Sequence, residues 1–450
     1  MAQLGPRLVV AGTHSGVGKT TVATGLMAAL VARGLAVGPA KVGPDFIDPG
    51  YHALATGRPG RNLDAWMCGS DAIRPLAGRA AAGADVLVVE GVMGLFDGAS
   101  DGSPSSTADV AVLLDAPVIL VVDAASTAQS IAAVVHGFST FDPRVRVAGV
   151  VANRVGSDAH ERTVRSALVP LGIPVVGVLR RDASLTWRDR HLGLVPVVEQ
   201  RHEVRAALDL LAATVERSFD IDAIVAIART APRLEVESPA LPSMVAGEPV
   251  VAVAGGPAFS FTYEDNLEAL SAAGARLVDF DPRTATELPA GATGLLAGGG
   301  FPEVFAVALG ANRALLDDVR AKVAAGLVVW AECGGLLWLA DALDDVPMAG
   351  VVATAAAMTS RLALGYRTAT AQVASPLGPA GLQLRGHEFH YSAAEPAGTA
   401  LALDGRTGPS LGGFATPTLL ASYLHLHLGS SPHLATAFVT ACAASALGRR

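Results

Sequence analysis

Residues Arg7 to Thr21 read RLVVAGTHSGVGKTT, an apolar run of strand length, a turn with three glycines and the start of an apolar helix. Few folds accept that order. A strand that breaks into a glycine turn before a helix aims successive backbone N–H groups and the positive helix end at one point, which suits a polyphosphate. The usual spacing is G-x-x-x-x-G-K-[ST], but here Thr13 holds the first glycine position and Gly12 lies one residue early. The expected ATP-binding residues are Gly12, Thr13, Gly16, Val17, Gly18, Lys19, Thr20 and Thr21. Lys19 would reach the β and γ oxygens and Thr20 a Mg²⁺ ion.

Further apolar runs alternate with helical patterns: Gly38 to Val42, Val86 to Glu90, Val118 to Asp123, Val147 to Asn153 and Val175 to Leu179. This alternation predicts a doubly wound α/β domain around a mostly parallel sheet. Between about residues 230 and 249 the texture changes to a proline-rich stretch of weak periodicity. A second α/β series follows, from Val250 to Ala254 through Leu295–Leu296 and Leu327 to Trp330 into a more β-rich tail. The expected organisation is therefore a P-loop domain over 1–235, a linker over 236–248 and a second α/β domain over 249–450.

Of 450 residues, 51% are hydrophobic and 16% charged, the profile of a compact enzyme rather than a disordered chain. A net charge of -8 argues against nucleic acid or an anionic membrane surface as a partner. The longest apolar stretch, around Val110 to Ala125, is interrupted by Asp115, Pro117 and Asp123, so no membrane span is expected. With no charged-then-apolar leader, the expected location is cytoplasmic. The three cysteines lack disulfide or metal spacing. Lys19, Lys41 and Lys322 are the only lysines among 33 basic residues, so their retention in an arginine-rich chain draws notice.

In open α/β sheets the loops at the carboxyl ends of strands form the ligand crevice. Three such loops carry chemistry. KVGPDFIDPGYH follows the second strand, where Asp45 and Asp48 could hold Mg²⁺ and Lys41 could neutralise a transferred phosphoryl group, unless the aspartates merely shape the turn. Glu90 closes Val86 to Glu90 and is the leading metal-binding acid of the phosphate site. Asn153 closes another strand and could read a nucleobase edge, or simply make a turn.

In the second half, LVVWAECGGLLWLA is a strand, a tight turn and a helix with Cys333 at the turn, the cysteine form of a nucleophile elbow. A helix N-terminus favours the thiolate. The base it needs is expected from ASYLHLHL, where His425 and His427 alternate as on one strand face; His425 is the expected partner and His427 the reserve. Gly299 and Gly300, at the end of an earlier strand, and Gly334, after the cysteine, could supply oxyanion-stabilising N–H groups.

The loop GTHSGVGKTT resembles dethiobiotin synthetase-like ATPases. Together KVGPDFIDPGYH, RNLDAWM, VVEGVMGLFDG, WAECGG, RGHEFHYS and ASYLHLH resemble the cobyrinic acid a,c-diamide synthase family, in order over nearly the whole chain. The resemblance implies an ATP-dependent amidoligase domain followed by a class I glutamine amidotransferase-like domain. It implies a carbon–nitrogen ligase of cobalamin biosynthesis that uses ATP, Mg²⁺ and glutamine. The acceptors would be the a and c carboxylates of a corrinoid macrocycle, hydrogenobyrinate or cobyrinate, activated as acyl phosphates. A homodimer is compatible with this reading. Cys333 matches the family nucleophile and His425 its activating histidine. Lys19 and Thr20 match phosphate and Mg²⁺ contacts, and Asp45, Asp48 and Glu90 match acids around the metal and transferred phosphate. In the wider amidotransferase class an acid commonly lies two residues after the histidine. Here His427 stands in that place, so any acid orienting His425 must come from elsewhere.

Overall fold

The computed structural model describes residues 2–181, 189–190, 193–194, 201–406 and 408–447. The chain divides into two compact units, residues 1–239 and 240–450.

The first unit is built on a seven-stranded sheet. Its strands are β1 (Arg7–Gly12), β2 (Val37–Val42), β3 (Arg61–Leu63), β4 (Val86–Glu90), β5 (Val118–Asp123), β6 (Val147–Val155) and β7 (Val175–Arg180). They run parallel in the order β3-β2-β4-β1-β5-β6-β7. Valine-rich segments buried on both faces are what such a covered sheet requires. The edge strand β3 lies in the RNLDAWM motif, too short to show a period in sequence. Helix α1 (Lys19–Ala32) follows the glycine turn and packs Val22, Leu26, Met27 and Leu30 into the core. Arg7 is wholly buried, with its guanidinium donating to the carbonyls of Leu114, Leu4, Gly5 and Asp115, so every nitrogen of the buried charge has a hydrogen-bond partner. Helix α2 (Asp48–Thr56) starts at the carboxyl end of β2.

The second unit holds two sheets. The first comprises β8 (Val250–Ala254), β9 (Arg276–Phe280), β10 (Ala292–Ala297), β11 (Val328–Glu332), β14 (Phe414–Thr416) and β15 (Leu419–Ser422), in the order β9-β8-β10-β11-β15-β14. All neighbours are parallel except the edge strand β14. The second is dominated by a long antiparallel pair, β12 (Val352–Ala371) with β13 (Gln383–Glu395), and β16 (His425–Leu426) adds to β13. Helix α3 (Glu264–Ala272) follows β8, and the six-residue α4 (Gly334–Leu339) follows β11. Trp330 and Trp338 are almost fully buried; Trp330 meets Phe438 edge-on at 5.8 Å. No helix among the described residues is long and apolar enough to cross a membrane.

Candidate active sites

In the first unit β1 leads into the glycine turn. A side-chain carbon on Gly12 would stand 2.4 Å from Val17 Cγ1 and 2.9 Å from Lys19 Cγ, so the loop closes back on this residue. That contact is the physical reason for a glycine one place early. Thr13, expected among the nucleotide-binding residues, extends the sheet through its backbone: its N–H donates to the Val121 carbonyl at 3.3 Å. Lys19 Nζ donates to the His14 carbonyl at 3.3 Å. Burial, then the neighbouring Lys41 charge, pushes the Lys19 ammonium down to about 8. Thr21 lies in the first turn of α1, directly after Thr20.

Asn153 Nδ2 donates to the Val17 carbonyl at 2.8 Å, so the amide expected at a nucleobase edge also holds the phosphate loop. Arg154, at φ 60°, reinforces it by donating to the Gly16 carbonyl at 2.8 Å and to Asp123 Oδ2 at 2.5 Å. The carbonyls of Gly16 and Val17 are thus braced from β6 by two adjacent side chains.

Behind the loop, three oxygen-bearing side chains converge. Thr20 Oγ1 donates to Glu90 Oε1 at 2.7 Å and to Asp48 Oδ2 at 3.3 Å. Lys41 Nζ lies 3.1 Å from Asp48 and 3.2 Å from Glu90, and donates to the Gly91 carbonyl at 2.8 Å. Parallel pairing puts Lys41 beside Glu90 in register, which explains how two residues far apart in sequence meet. His52 Nε2 lies 2.6 Å from Glu90 Oε2, with both side chains fully buried. Burial opposes the Glu90 charge, but Lys41, His52 and Thr20 outweigh it and hold the carboxyl below its usual range. Burial also opposes the Lys41 charge, and Glu90, Asp48 and Asp45 raise it above the ordinary lysine value. Asp48 is held well above the carboxylate range by burial and by the negative charges of Asp45 and Glu90.

Asp45 is placed differently from the metal-site expectation. Its Oδ1 accepts from the N–H groups of Ile47 and Asp48, at 2.8 and 2.9 Å, and so shapes the turn into α2. Asn62 steadies the same turn by donating to the carbonyls of Gly43 and Asp45. His52 was missed in sequence, although its spacing four residues after Asp48 places both on one face of α2. Among the described residues no group of three or more His, Cys, Asp and Glu side chains is placed to hold a metal alone. The Thr20, Asp48 and Glu90 oxygens nevertheless suit a hard cation that takes its remaining ligands from phosphate and water.

In the second unit Cys333 occupies the elbow between β11 and α4 at φ 47° and ψ -100°, a conformation that side chains rarely adopt. Its N–H donates to the Ser422 carbonyl at 2.7 Å. Because Glu332 pairs with Ser422, the segment leaving β15 passes beside the elbow and brings His425 to the thiol. His425 is buried and hydrogen-bonds Cys333. Burial alone would lower its basicity, but the bonds and charges of Cys333 and Glu332 push it up to about 10.

Glu332 carries no signal of this role in sequence. Its Oε2 lies 3.4 Å from His425 Nδ1 while Oε1 accepts from the Leu426 N–H at 3.0 Å. His427 turns to other partners: Nδ1 accepts from the Gly429 N–H, Nε2 lies 3.8 Å from Asp265, and the ring centroid is 4.7 Å from that of Tyr263. Regular strand pairing ends at Leu426, so the alternation expected of a longer strand stops between the two histidines. Asn266 clamps the same segment, donating to the Leu426 carbonyl and accepting from the Leu428 N–H, both at 2.7 Å.

Gly299 corrects an expectation. Its N–H donates to the Phe261 carbonyl at 3.0 Å and is not directed to an oxyanion. The Gly300 nitrogen lies 3.1 Å from where a side-chain carbon on Gly334 would be, so these two residues remain neighbours beside Cys333. Gly334 opens α4, where a backbone N–H has no intrahelical partner.

Comparison with known proteins agrees with this division of chemistry. Residues 8–195 match the CobQ/CobB/MinD/ParA nucleotide binding domain, and residues 250–433 match the CobB/CobQ-like glutamine amidotransferase domain. A hydrogenobyrinate a,c-diamide synthase of Streptomyces coelicolor is 49% identical, covering 98% of this chain and 98% of that protein. Another, from Thermobifida fusca, is 47% identical over 97% of this chain and 96% of its own. A cobyrinate a,c-diamide synthase of a Synechococcus species is 44% identical, covering 98% of this chain and all of the relative. With a phosphate-loop unit, a cysteine elbow unit and this identity along nearly its full length, the chain belongs to the hydrogenobyrinate and cobyrinate a,c-diamide synthase family.

Proposed function

We propose that this protein amidates the a and c side-chain carboxylates of a corrinoid macrocycle with ATP and glutamine. Residues 1–235 form the amidoligase domain and residues 249–450 the glutaminase domain. The observation that carries the reading is Cys333, held at a positive φ and hydrogen-bonded to a buried His425. An inactive binding module has no use for so strained an elbow or for a base buried against it.

A carboxylate resists attack by ammonia, so it must first become an acyl phosphate. ATP supplies the γ-phosphoryl group, and Mg²⁺ supplies charge neutralisation on its oxygens. The loop backbone and Lys19 would hold the phosphates, and Thr20, Asp48 and Glu90 would hold the metal. Lys41, pinned between Asp48 and Glu90, presents positive charge toward the transferred group. In the second unit Cys333 Sγ attacks the carboxamide carbon of glutamine, and His425 delivers a proton to the departing ammonia. The Gly300 and Gly334 amides face the developing oxyanion. Water releases glutamate from the thioester, and ammonia displaces phosphate from the acyl phosphate to leave the amide.

Hydrogenobyrinate is favoured over cobyrinate, since relatives at 46–49% identity carry that name and the cobyrinate relatives fall at 41–44%. The test is incubation of each macrocycle with ATP, Mg²⁺ and glutamine, counting phosphate, glutamate and amides formed. Equal yields of the three on hydrogenobyrinate support the proposal. Glutamine left intact with every acceptor contradicts it.

A further inference from the structure

The structure assigns to Glu332 the orienting of His425, a positioning role taken up from the residue immediately before the nucleophile. This inference rests on the glutaminase reading of Cys333 and His425. The place two residues after the histidine, where the wider class commonly carries an acid, holds His427, and that side chain is turned to Asp265 and Tyr263. Glu332 reaches the imidazole from the opposite direction in the chain. Its two oxygens divide the work: Oε1 takes the Leu426 N–H at 3.0 Å and fixes the backbone that carries the ring. Oε2 lies 3.4 Å from Nδ1, within ion-pair reach of the ring, leaving Nε2 for the thiol. The carboxylate is 4% exposed, so its charge is little screened.

The arrangement explains how acid and nucleophile can be adjacent residues. Two neighbouring anions repel, and a carboxylate beside Cys333 would by itself oppose the thiolate. Placed instead across the imidazole from the sulfur, it stabilises the imidazolium that must accompany that thiolate. Other charged groups around His425 come from β13: Glu388, His387 and His390. Burial pushes His387 down to about 3 and His390 to about 4, so neither changes charge in the neutral range. Glu388 is bound to Arg367 at 2.8 Å.

The test compares wild type, Glu332→Gln and Glu332→Asp. Glutamine retains an oxygen for the Leu426 N–H but no charge; aspartate retains the charge. Alkylation of Cys333 by iodoacetamide is followed against pH by peptide mass spectrometry, together with kcat and KM for glutamate release in the presence of ATP, Mg²⁺ and hydrogenobyrinate. For Glu332→Gln the alkylation midpoint should rise by about one pH unit. Its kcat should fall by about 10²-fold with KM little changed, while Glu332→Asp keeps the wild-type midpoint. Wild-type values of midpoint and kcat in Glu332→Gln overturn the assignment. So does a raised midpoint in Glu332→Asp, because the charge is then not what matters. Should Glu332→Gln fail to fold, the Glu332→Asp midpoint decides alone. Absence of glutamate release by wild type would instead remove the glutaminase reading beneath it.

Discussion

A side-chain carbon on Gly299 would stand 2.5 Å from His425 Cε1, closer than atoms approach without one of them moving. The residue is therefore a spacer for the base. Gly299→Ala should displace the imidazole while leaving β10 and its core intact. Glutamate release should fall by about 10²-fold, since a misplacement near 1 Å has that effect on an aligned pair. Steady-state kinetics with glutamine, beside ammonia-dependent amidation as an internal control, reads the result.

The two chemistries should separate by mutation. Cys333→Ala should abolish amidation from glutamine and leave amidation from added ammonium salts measurable. Lys19→Ala should suppress both by about 10²-fold or more, because it removes charge stabilisation from the phosphoryl step. Product analysis by mass spectrometry distinguishes the patterns, and full glutamine-dependent activity in Cys333→Ala would refute the nucleophile assignment.

Lys19 provides a pH prediction with a definite sign. Its ammonium is pushed down to about 8 by burial and by Lys41, so in the free protein it loses its proton as pH rises past that value. Bound triphosphate favours the charged form. Nucleotide binding above pH 8 should therefore take up a proton and weaken as pH increases, whereas below pH 7 it should be insensitive to this group. Calorimetry in buffers of different ionisation enthalpy measures that uptake; a constant proton count from pH 6 to 9 would rule it out.

The buried His52–Glu90 contact supports the metal-binding face. His52→Leu fills similar space but leaves Glu90 Oε2 without its partner at 2.6 Å. The loss should destabilise the first unit by about 2 kcal/mol, the range for leaving one buried acceptor without its hydrogen bond. A lowered urea midpoint with an unchanged slope checks it.

What could be read from sequence followed from locality. The strand, glycine turn and Lys19-Thr20 pair span only residues 7–20, and β11, Cys333 and Gly334 only residues 328–334, so their geometry is written in short range order. The alternating apolar runs likewise imply a parallel sheet, because its strands are buried on both faces. Long-range pairings were less legible. Glu332 meets His425 only because β11 lies beside β15, and no spacing near Glu332 hints at that neighbour. Asn153 shows a strand-end amide, but not that Val17 across the sheet would accept its hydrogen bond. Asp45 and Asp48 look alike in sequence; the turn into α2 captures one, and Lys41 and Thr20 the other.

The central claim is that one chain makes ammonia from glutamine and places it on two carboxylates of a corrinoid. The most direct measurement is mass spectrometry of hydrogenobyrinate after incubation with the protein, ATP, Mg²⁺ and glutamine labelled with ¹⁵N in its side-chain amide. The account predicts a product with two amide groups, both labelled, and no product when ATP is omitted. Unchanged macrocycle with ATP consumed, or unlabelled amides, would contradict it.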